Sequence, residues 1–255
     1  MKRISKDGYK VVISGNGSDE IFSGYYDHYL CYFSDVKSPQ TKNKEIKLWE
    51  KNILPLIRNK DFKNSSYFKK NKYPNYLNSF ENDLAKKIMI KKTNFINFKE
   101  KKYSNSTLKN RMKNETFRES LPVILNEEDL NSMFFSIENR SPYLNVNLYK
   151  FMEKIKVNNF INNGFAKSIL RDSLKNIAPN HIINNYEKIG FNIAIDEIIN
   201  FNSNKIKHFL LKKSKIYKYI NYSMIVEIFS DKRSIDKYKN FLFKLLNLKM
   251  VIDNI

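Results

Sequence analysis

The stretch that decides the fold is YKVVISGNGSDEIFSGYYDHYLCYF, residues 9–33. Its opening six residues, 9–14, form an apolar run rich in β-branched residues that stops at a glycine, which predicts a buried strand. After residues 15–17 the apolar residues recur at every third or fourth position, which predicts an amphipathic helix. Ser18 or Asp19 is the expected cap of that helix. The chain therefore begins with a strand, a glycine-bearing turn and a helix.

A glycine-bearing turn between a strand and a helix can bind an anion. Glycines let backbone N–H groups approach a phosphate or carboxylate closely, and the helix dipole favours negative charge there. In an open α/β sheet, ligands bind beyond the carboxyl ends of the strands. The run SGNGSD at 14–19 has this order. The turn alone indicates either an anion site or a plain connection, since such turns are common.

The rest of the chain is predicted to be mainly helical. Residues 37–113 are rich in Lys, Asn and Ser and predict short helices and loops. Residues 114–255 show apolar residues at helical spacing, and Pro142 is expected to end or bend one of these helices. Further helices are predicted around 146–155 and after Gly190. We therefore divide the chain into an opening unit that ends at residue 36, a lysine-rich segment and a helical lobe.

The net charge favours a polyanionic partner only weakly. The chain has 46 Lys and Arg against 26 Asp and Glu, a formal charge of +20, which is typical of proteins that bind nucleic acid or a membrane surface. Seven of the 46 are Arg, the residue that binds phosphate and guanine with two hydrogen bonds. Residues 37–113 contain 21 Lys and Arg against 6 Asp and Glu. We therefore favour compositional bias, and nucleic acid is not the expected partner.

Several classes of protein are excluded by composition. The single cysteine, Cys31, excludes an intrachain disulfide framework and a cysteine-based zinc cluster. The three histidines, His28, His181 and His208, have no metal-ligand spacing, so no metal ligands are assigned. No apolar run approaches 18 residues, and the apolar run near the N-terminus is too short for a signal peptide. We expect a cytoplasmic protein without a membrane partner.

Four stretches, in order, resemble the asparagine synthetase (glutamine-hydrolysing) family. VVISGNGSDEIFSGY at 11–25 is similar to the family's VVLSGEGADELFGGY. LPVILNEEDLNSMFFSIENRSPYLN at 121–145 is similar to its LPxLLxRDDRNSMAxSIExRxPFLD. Residues 167–171 resemble its KxxLR helix, and EKIGF at 187–191 resembles the end of its RxDKxGF segment. The chain is identified as a member of this family, covering the C-terminal part of the synthetase domain.

The resemblance implies a fold and a reaction. The fold is α/β but predominantly helical, the C-terminal part of an adenine-nucleotide-hydrolase-like synthetase domain of the PP-loop ATPase type. The reaction is that of an ATP-dependent amide ligase, in which ATP and Mg²⁺ adenylate the side-chain carboxylate of aspartate and pyrophosphate leaves. Ammonia then attacks the β-aspartyl-AMP. It comes from glutamine, which a separate N-terminal domain hydrolyses.

The resemblance also implies roles for the residues of the glycine loop. Ser14 and Gly15 would contact ATP, with Gly17 in the same cofactor-binding loop. Asp19 would support the loop or contact substrate. Lys188 would be the cation that stabilises the charge developing in the adenylation transition state, where pre-placed donors and cations are needed.

Two further pairs of charged residues each have two alternative roles. Glu138 and Arg140 would be inner polar residues near the carboxylate acceptor, with a structural ion pair as the alternative. Lys167 and Arg171 lie four residues apart on one predicted helix face, where they either face phosphate or stabilise the fold. Glu138 joins Lys188 in the candidate catalytic set.

Two substitutions depart from the family pattern. Asn16 stands where the family has Glu, and it completes the candidate catalytic set. An amide donates and accepts hydrogen bonds but cannot act as a general base, so either the chemistry is weakened or the acceptor is a different carboxylate. Leu130 stands where the family block usually has Arg, which removes a cation from a region that binds anions.

Two expected parts are absent from the sequence. It contains no SGGxDS pyrophosphate loop and no glutaminase domain with its leading cysteine. An isolated parallel strand has no partner for its backbone groups, so we expect the chain to need an N-terminal synthetase and glutaminase portion and to be inactive alone. The alternatives are a non-catalytic remnant, an amide ligase for a different carboxylate acceptor, and a basic polyanion-binding module.

Overall fold

The structure is a computed structural model that describes residues 1–58, 60–65, 87–90, 99–188 and 194–254. These residues divide into two compact units. The first contains the described residues up to 65 and those from 99 to 188, and the second contains 87–90 and 194–254. Most of the regular structure is helical, and the named strands form one two-stranded parallel sheet. The predicted α/β fold dominated by helices is confirmed, whereas the predicted division after residues 36 and 113 stays a prediction.

The first unit contains both strands and nine α-helices among its described residues. In chain order they are α1 (Lys2–Lys6), β1 (Val11–Ile13), α2 (Ser18–Phe22), α3 (Tyr26–Asp35), α4 (Pro39–Asn52), α5 (Thr107–Phe117), α6 (Ser120–Met133), β2 (Glu138–Arg140), α7 (Val146–Lys154), α8 (Ser168–Ser173) and α9 (Asn180–Ile183). Short 3₁₀ turns lie at Leu54–Leu56, Lys60–Lys63, Pro142–Leu144 and Val157–Asn159. The candidate catalytic and cofactor-binding residues named above all belong to this unit.

The core of the first unit forms around α3. Tyr29, Tyr32 and Phe33 of this helix are almost fully buried. The Phe33 ring meets the Trp49 ring of α4 edge to face, with centroids 5.8 Å apart. Helix α5 also packs on α3, and it adds Leu108 and Met112 to the same core. Burial of this apolar surface is the main force that stabilises the unit.

The strand prediction is right in position but wrong in environment. Val11 lies opposite Glu138 in the parallel register, and Ile13 lies opposite Arg140. Strand β1 was predicted to be buried and to have no backbone partner, and both expectations are wrong. Val11 is 42% and Ile13 76% exposed, because among the described residues the sheet has two strands and no layer over this face. Its backbone is paired with β2, a strand that the sequence pattern does not predict.

The helix after the glycine turn is two helices rather than one. Helix α2 ends at Phe22, its C-cap Ser23 has a left-handed backbone with φ of 69°, and α3 begins at Tyr26. The N-cap of α2 is Gly17, with φ of 85°, and not the predicted Ser18 or Asp19. A left-handed residue cannot continue a right-handed helix. Ser23 therefore divides the predicted amphipathic helix into two separate helices.

The second unit is helical. Its helices are α10 (Ile195–Ile198), α11 (Asn204–Leu211), α12 (Tyr222–Ile228) and α13 (Lys232–Asn254), with a 3₁₀ turn at Lys215–Lys218. The buried Lys249 near the end of α13 donates from Nζ to the Lys212 carbonyl at 2.8 Å and pairs with Asp253 at 3.1 Å. No helix in the described part of the chain is long and apolar enough to cross a membrane.

Candidate active site

The loop after β1 is fixed to β2 at its start. The Ser14 N–H donates to the Arg140 carbonyl at 2.8 Å, and the Ser14 and Ser141 hydroxyl oxygens are 2.9 Å apart. The two glycines that follow have different surroundings. A Cβ on Gly17 would overlap the Leu144 side chain, whereas a Cβ on Gly15 would meet no described atom within 4 Å. Gly17 is therefore needed for packing, and Gly15 leaves room for a ligand to approach the loop.

Two lysines from distant parts of the chain meet at one carboxylate on α2. The Lys167 Nζ lies 2.7 Å from Asp19 Oδ1, and the Lys188 Nζ lies 3.4 Å from Asp19 Oδ2. Lys167 also donates to the Ser18 hydroxyl at 3.1 Å. We call Asp19, Lys167 and Lys188 the lysine pair site. It brings together two of the predicted site residues, and it adds Lys167, whose role the sequence left open.

The lysine pair site has a surplus of positive charge. Burial raises the pKa of Asp19, but the two lysines outweigh this and lower it below its usual value. Burial, together with the neighbouring Lys167, lowers the pKa of the Lys188 ammonium more than the Asp19 and Glu20 carboxylates raise it. The Glu20 carboxylate also acts on Lys188 and is itself bound by the Tyr25 hydroxyl. The three side chains of the site alone carry one positive charge in excess, which favours an anion. The side chains are 24 to 28% exposed, which leaves them accessible to a ligand.

Gly24 makes the close approach of Asp19 and Lys167 possible. A Cβ at this position would lie 2.7 Å from the Asp19 Cγ and 2.5 Å from the Lys167 Cε. The Gly24 N–H also donates to the Asp19 carbonyl at 2.8 Å. Sequence reasoning missed this residue, although it is the last glycine of the quoted SGNGSDEIFSG run. Only glycine fits between the helix α2 and the lysine without moving the ion pair.

A second polar group lies on the other side of the loop. The Asn16 side-chain amide donates to Glu128 Oε2 on α6, and the Asn139 amide donates to the same oxygen at 2.5 Å. The Asn139 Oδ1 is buried and accepts no hydrogen bond within the described residues. Glu128 thus places a carboxylate directly beside position 16. Sequence reasoning missed Glu128, although the acidic run at 127–129 lies inside the quoted family block.

Glu138 and Arg140 lie apart from both groups. They pair with each other on β2, with the Arg140 Nε 2.8 Å from Glu138 Oε1, and both side chains are more than half exposed. They are therefore not inner residues in this structure, and a catalytic role for Glu138 stays a prediction.

Arg171 has structural contacts instead. Its guanidinium donates to the main-chain carbonyls of Ala166, at 2.8 Å, and Ile183. These bonds connect α8 to the end of α9, which favours the structural alternative for Arg171. The last three residues of the EKIGF motif, 189–191, lie outside the described residues.

The family model described as Asparagine synthase matches residues 1–252. The chain belongs to this family. The assignment drawn from the four motifs is therefore confirmed, and it places the chain in a family of ATP-dependent amide ligases. No curated protein and no solved structure matches the chain.

Asparagine synthases generally use ATP and Mg²⁺. The lysine pair site fits the phosphate groups of ATP and does not fit Mg²⁺. Lys167 and Lys188 contact both oxygens of Asp19, so a cation there would have to displace an ammonium group, whereas the surplus positive charge fits a phosphate group. The glycine loop, with open space at Gly15, has the same preference, because its backbone N–H groups are donors.

Proposed function

We propose that the chain is the C-terminal part of an amide ligase that resembles glutamine-hydrolysing asparagine synthetase. The substrates would be ATP, an aspartate-like carboxylate, and ammonia released from glutamine. The adenine-nucleotide-hydrolase-like fold and a cytoplasmic location belong to the same proposal. The observation that carries it is the lysine pair site, since it combines a surplus of cations with an adjacent open glycine loop at the carboxyl end of a parallel strand.

In this proposal the lysines bind phosphate and Asp19 orients them. Ser14 and the backbone at Gly15 lie at the end of β1, where ligands of α/β proteins bind. Adenylation increases the negative charge on the transferred phosphate oxygens, and cations placed beforehand stabilise that charge without having to reorganise. Lys188 is a better candidate for this role than Lys167. The family motif assigns the cation to Lys188, and Lys188 lies beside Asp19.

Glu128 is proposed as the group that accepts a proton from the amine nucleophile. The amide of Asn16 cannot do so, but it donates to Glu128 Oε2 and thereby orients the carboxylate. When ammonia attacks the activated carbonyl carbon, the C–N bond forms, the bond from that carbon to the phosphate oxygen breaks and AMP leaves, and the extra proton passes from nitrogen to Glu128. The contact with Glu128 supports the proposal that amide formation is retained despite Asn16. The alternative that the acceptor is a carboxylate other than aspartate remains part of the proposal.

The sheet supports the proposal that other polypeptide segments complete the site. In parallel sheets both faces are normally covered, whereas Val11 and Ile13 are exposed on β1. Since the 255 residues contain no SGGxDS loop, we propose that a portion with this loop and a glutaminase domain supplies further strands. The chain alone would then be inactive.

The test is aspartate-dependent exchange of pyrophosphate into ATP. We expect no exchange from the purified chain alone, and exchange when it is combined with a family polypeptide that carries the SGGxDS loop. Lys188→Met should abolish this activity, whereas Lys175→Met, which removes an exposed lysine paired with Asp172, should not. Exchange that survives Lys188→Met would overturn the proposal. A combined protein without exchange would support the non-catalytic remnant, and salt-sensitive binding to single-stranded nucleic acid would support the polyanion module.

A further inference from the structure

Tyr25 lies against the cation of the lysine pair site. Its ring centroid is 3.4 Å from the Lys188 Nζ, so the ammonium sits over the ring and faces Asp19 Oδ2 at the same distance. The Lys188 backbone N–H also donates to the hydroxyl of Tyr26, the residue that follows Tyr25, at 3.4 Å. Two consecutive tyrosines therefore contact one lysine, one at the side chain and one at the backbone.

The Tyr25 ring is itself fixed at three points. Its hydroxyl donates to Glu20 Oε1 at 2.5 Å, and its backbone N–H donates to the His28 Nδ1 at 3.4 Å. The two rings of Tyr25 and His28 meet edge to face, with centroids 5.3 Å apart. Glu20 and His28 are both almost fully buried, so the ring has anchored neighbours and little freedom to rotate away from Lys188.

We propose that Tyr25 is the positioning residue for Lys188: its ring face keeps the ammonium beside Asp19. This inference rests on the proposed function of Lys188 as the cation of the site. An aromatic face attracts a cation through its quadrupole without carrying a charge of its own. A carboxylate in the same place would neutralise Lys188, whereas the ring leaves the positive charge available to a phosphate group.

A role for Tyr25 in proton transfer does not fit its surroundings. Burial, and then the hydrogen bond to the Glu20 carboxylate, raise the pKa of Tyr25 far above its usual value. This favours the protonated hydroxyl, which is the form that donates to Glu20. The hydroxyl instead orients the ring through its hydrogen bond to Glu20, and the oriented ring contacts Lys188.

The test compares Tyr25→Phe with Tyr25→Leu in the full chain. Both variants remove the hydroxyl and keep an apolar side chain over Lys188, but only Phe keeps the aromatic face. An NMR pH titration of the lysine side chains gives the pKa of Lys188, whose signal is identified by its loss in Lys188→Met. Because cation–π contacts are worth about 0.5–1 kcal/mol, we expect the Leu variant to have a Lys188 pKa roughly half a unit below that of the Phe variant.

A second pair of measurements controls for packing and folding. Tyr103→Leu removes a ring that lies 5.2 Å from the Lys101 Nζ and should leave the Lys188 pKa unchanged. If Tyr25→Leu does not fold, pentafluorophenylalanine at position 25 replaces it, because that ring has nearly the size of Phe and a quadrupole of opposite sign. We expect it to lower the Lys188 pKa relative to Phe as well.

The outcomes separate this inference from the proposed function. Equal Lys188 pKa values with Phe and with Leu, or with Phe and with its fluorinated form, would overturn the positioning role, as expected of a ring that only packs. A lower pKa in the Leu variant, accompanied by a roughly threefold or greater loss of exchange in the combined protein, supports it. The same pKa difference with exchange unaffected by Lys188→Met would support the ring contact and contradict the proposed function.

Discussion

Two charged centres in the first unit use the same kinds of side chain and balance them in opposite ways. In the lysine pair site, two cations share one carboxylate and remain about a quarter exposed. In the second centre, the Arg111 guanidinium alone contacts four carboxylates, and its side chain is 6% exposed. We call this centre the buried acid cluster, which consists of Asp27, His28, Glu100, Arg111, Glu115 and Glu119.

The buried acid cluster is satisfied by its own members. Arg111 lies 3.0 Å from oxygens of Asp27, Glu100 and Glu115 and 2.5 Å from Glu119. The His28 Nε2 lies 2.7 Å from Glu115. Ligand atoms of Asp27, His28 and Glu115 lie within 4.8 Å of one another, but the guanidinium already binds the two carboxylates, so the cluster does not fit a metal ion.

The difference between the centres separates structure from function. A charge network that is closed and buried stabilises one packing of α3 against α5 and offers nothing to a ligand. A group with surplus charge and partial exposure is incomplete without a counter-ion, and it is the one that lies beside the glycine loop. Disrupting the first centre should therefore affect folding, and disrupting the second should affect binding.

The largest expected effect is that of Arg111→Met. The change leaves buried carboxylates without their cation, and breaking a buried ion pair in this way costs about 3–5 kcal/mol of folding free energy. We expect a large drop in the urea midpoint or no folded protein. Lys167→Met is the matched change in the lysine pair site, where the ion pair is partly exposed, and it should cost under about 1 kcal/mol. Equal losses in the two variants would contradict the comparison.

The next effect is a pH dependence that comes from Glu115. Burial raises the pKa of Glu115 to about 7, against an ordinary value of 4.5. The pKa of His28 is raised as well, because the Glu115 and Asp27 carboxylates outweigh the effect of burial. The folded state therefore binds extra protons. This stability is complete below pH 4.5, and the Glu115 part is lost as the pH rises through 7.

Glu115→Gln should remove this dependence. We expect the difference in unfolding free energy between wild type and variant to shrink by on the order of 3 kcal/mol between pH 4.5 and 7.5, measured by urea denaturation at several pH values. Glu153→Gln, at an exposed carboxylate with a lowered pKa, is the control and should not show this sign. A constant difference for Glu115→Gln would mean that the carboxyl is not protonated in the folded state.

A smaller stability effect distinguishes two glycines. Gly24→Ala introduces a Cβ that overlaps Asp19 and Lys167, and such overpacking costs about 1–3 kcal/mol. Gly15→Ala meets nothing within 4 Å and should leave the thermal midpoint unchanged, while it blocks the approach of a ligand to the loop. A Gly24→Ala protein with wild-type stability would show that the lysine pair site adapts without strain.

The sequence could predict secondary structure that depends on neighbouring residues. The apolar run before Gly15 and the periodicity after it correctly placed a strand and helical structure, since both signals extend over neighbouring residues. The motif strings also led to the right family. Strand β2 could not be predicted, because three consecutive polar residues, Glu138 to Arg140, resemble a loop as much as a strand. The helix break at Ser23 depends on one left-handed residue of a type that rarely adopts that conformation.

The contacts that define the site were beyond local patterns. Asn16 and Glu128 are 112 residues apart in the chain, and Lys167 is farther still from Ser18, with which it shares a hydrogen bond at a separation of 149. Contacts between residues so far apart in the chain cannot be read from a local sequence pattern unless a family motif indicates them. The motif supplied Lys188 and Asp19, whereas Glu128, Gly24 and Tyr25 became visible only when the chain was folded.

The most direct test of the distinction between the two centres is an NMR titration of the chain with inorganic pyrophosphate. The side-chain signals of Lys167 and Lys188 report on the lysine pair site, and the His28 ring reports on the buried acid cluster. We predict saturable shifts of both lysines that disappear in Lys188→Met, with the His28 signals unchanged. Lysine signals that do not move, or that move no more than those of the exposed Lys175, would contradict the assignment of an anion site beside the glycine loop.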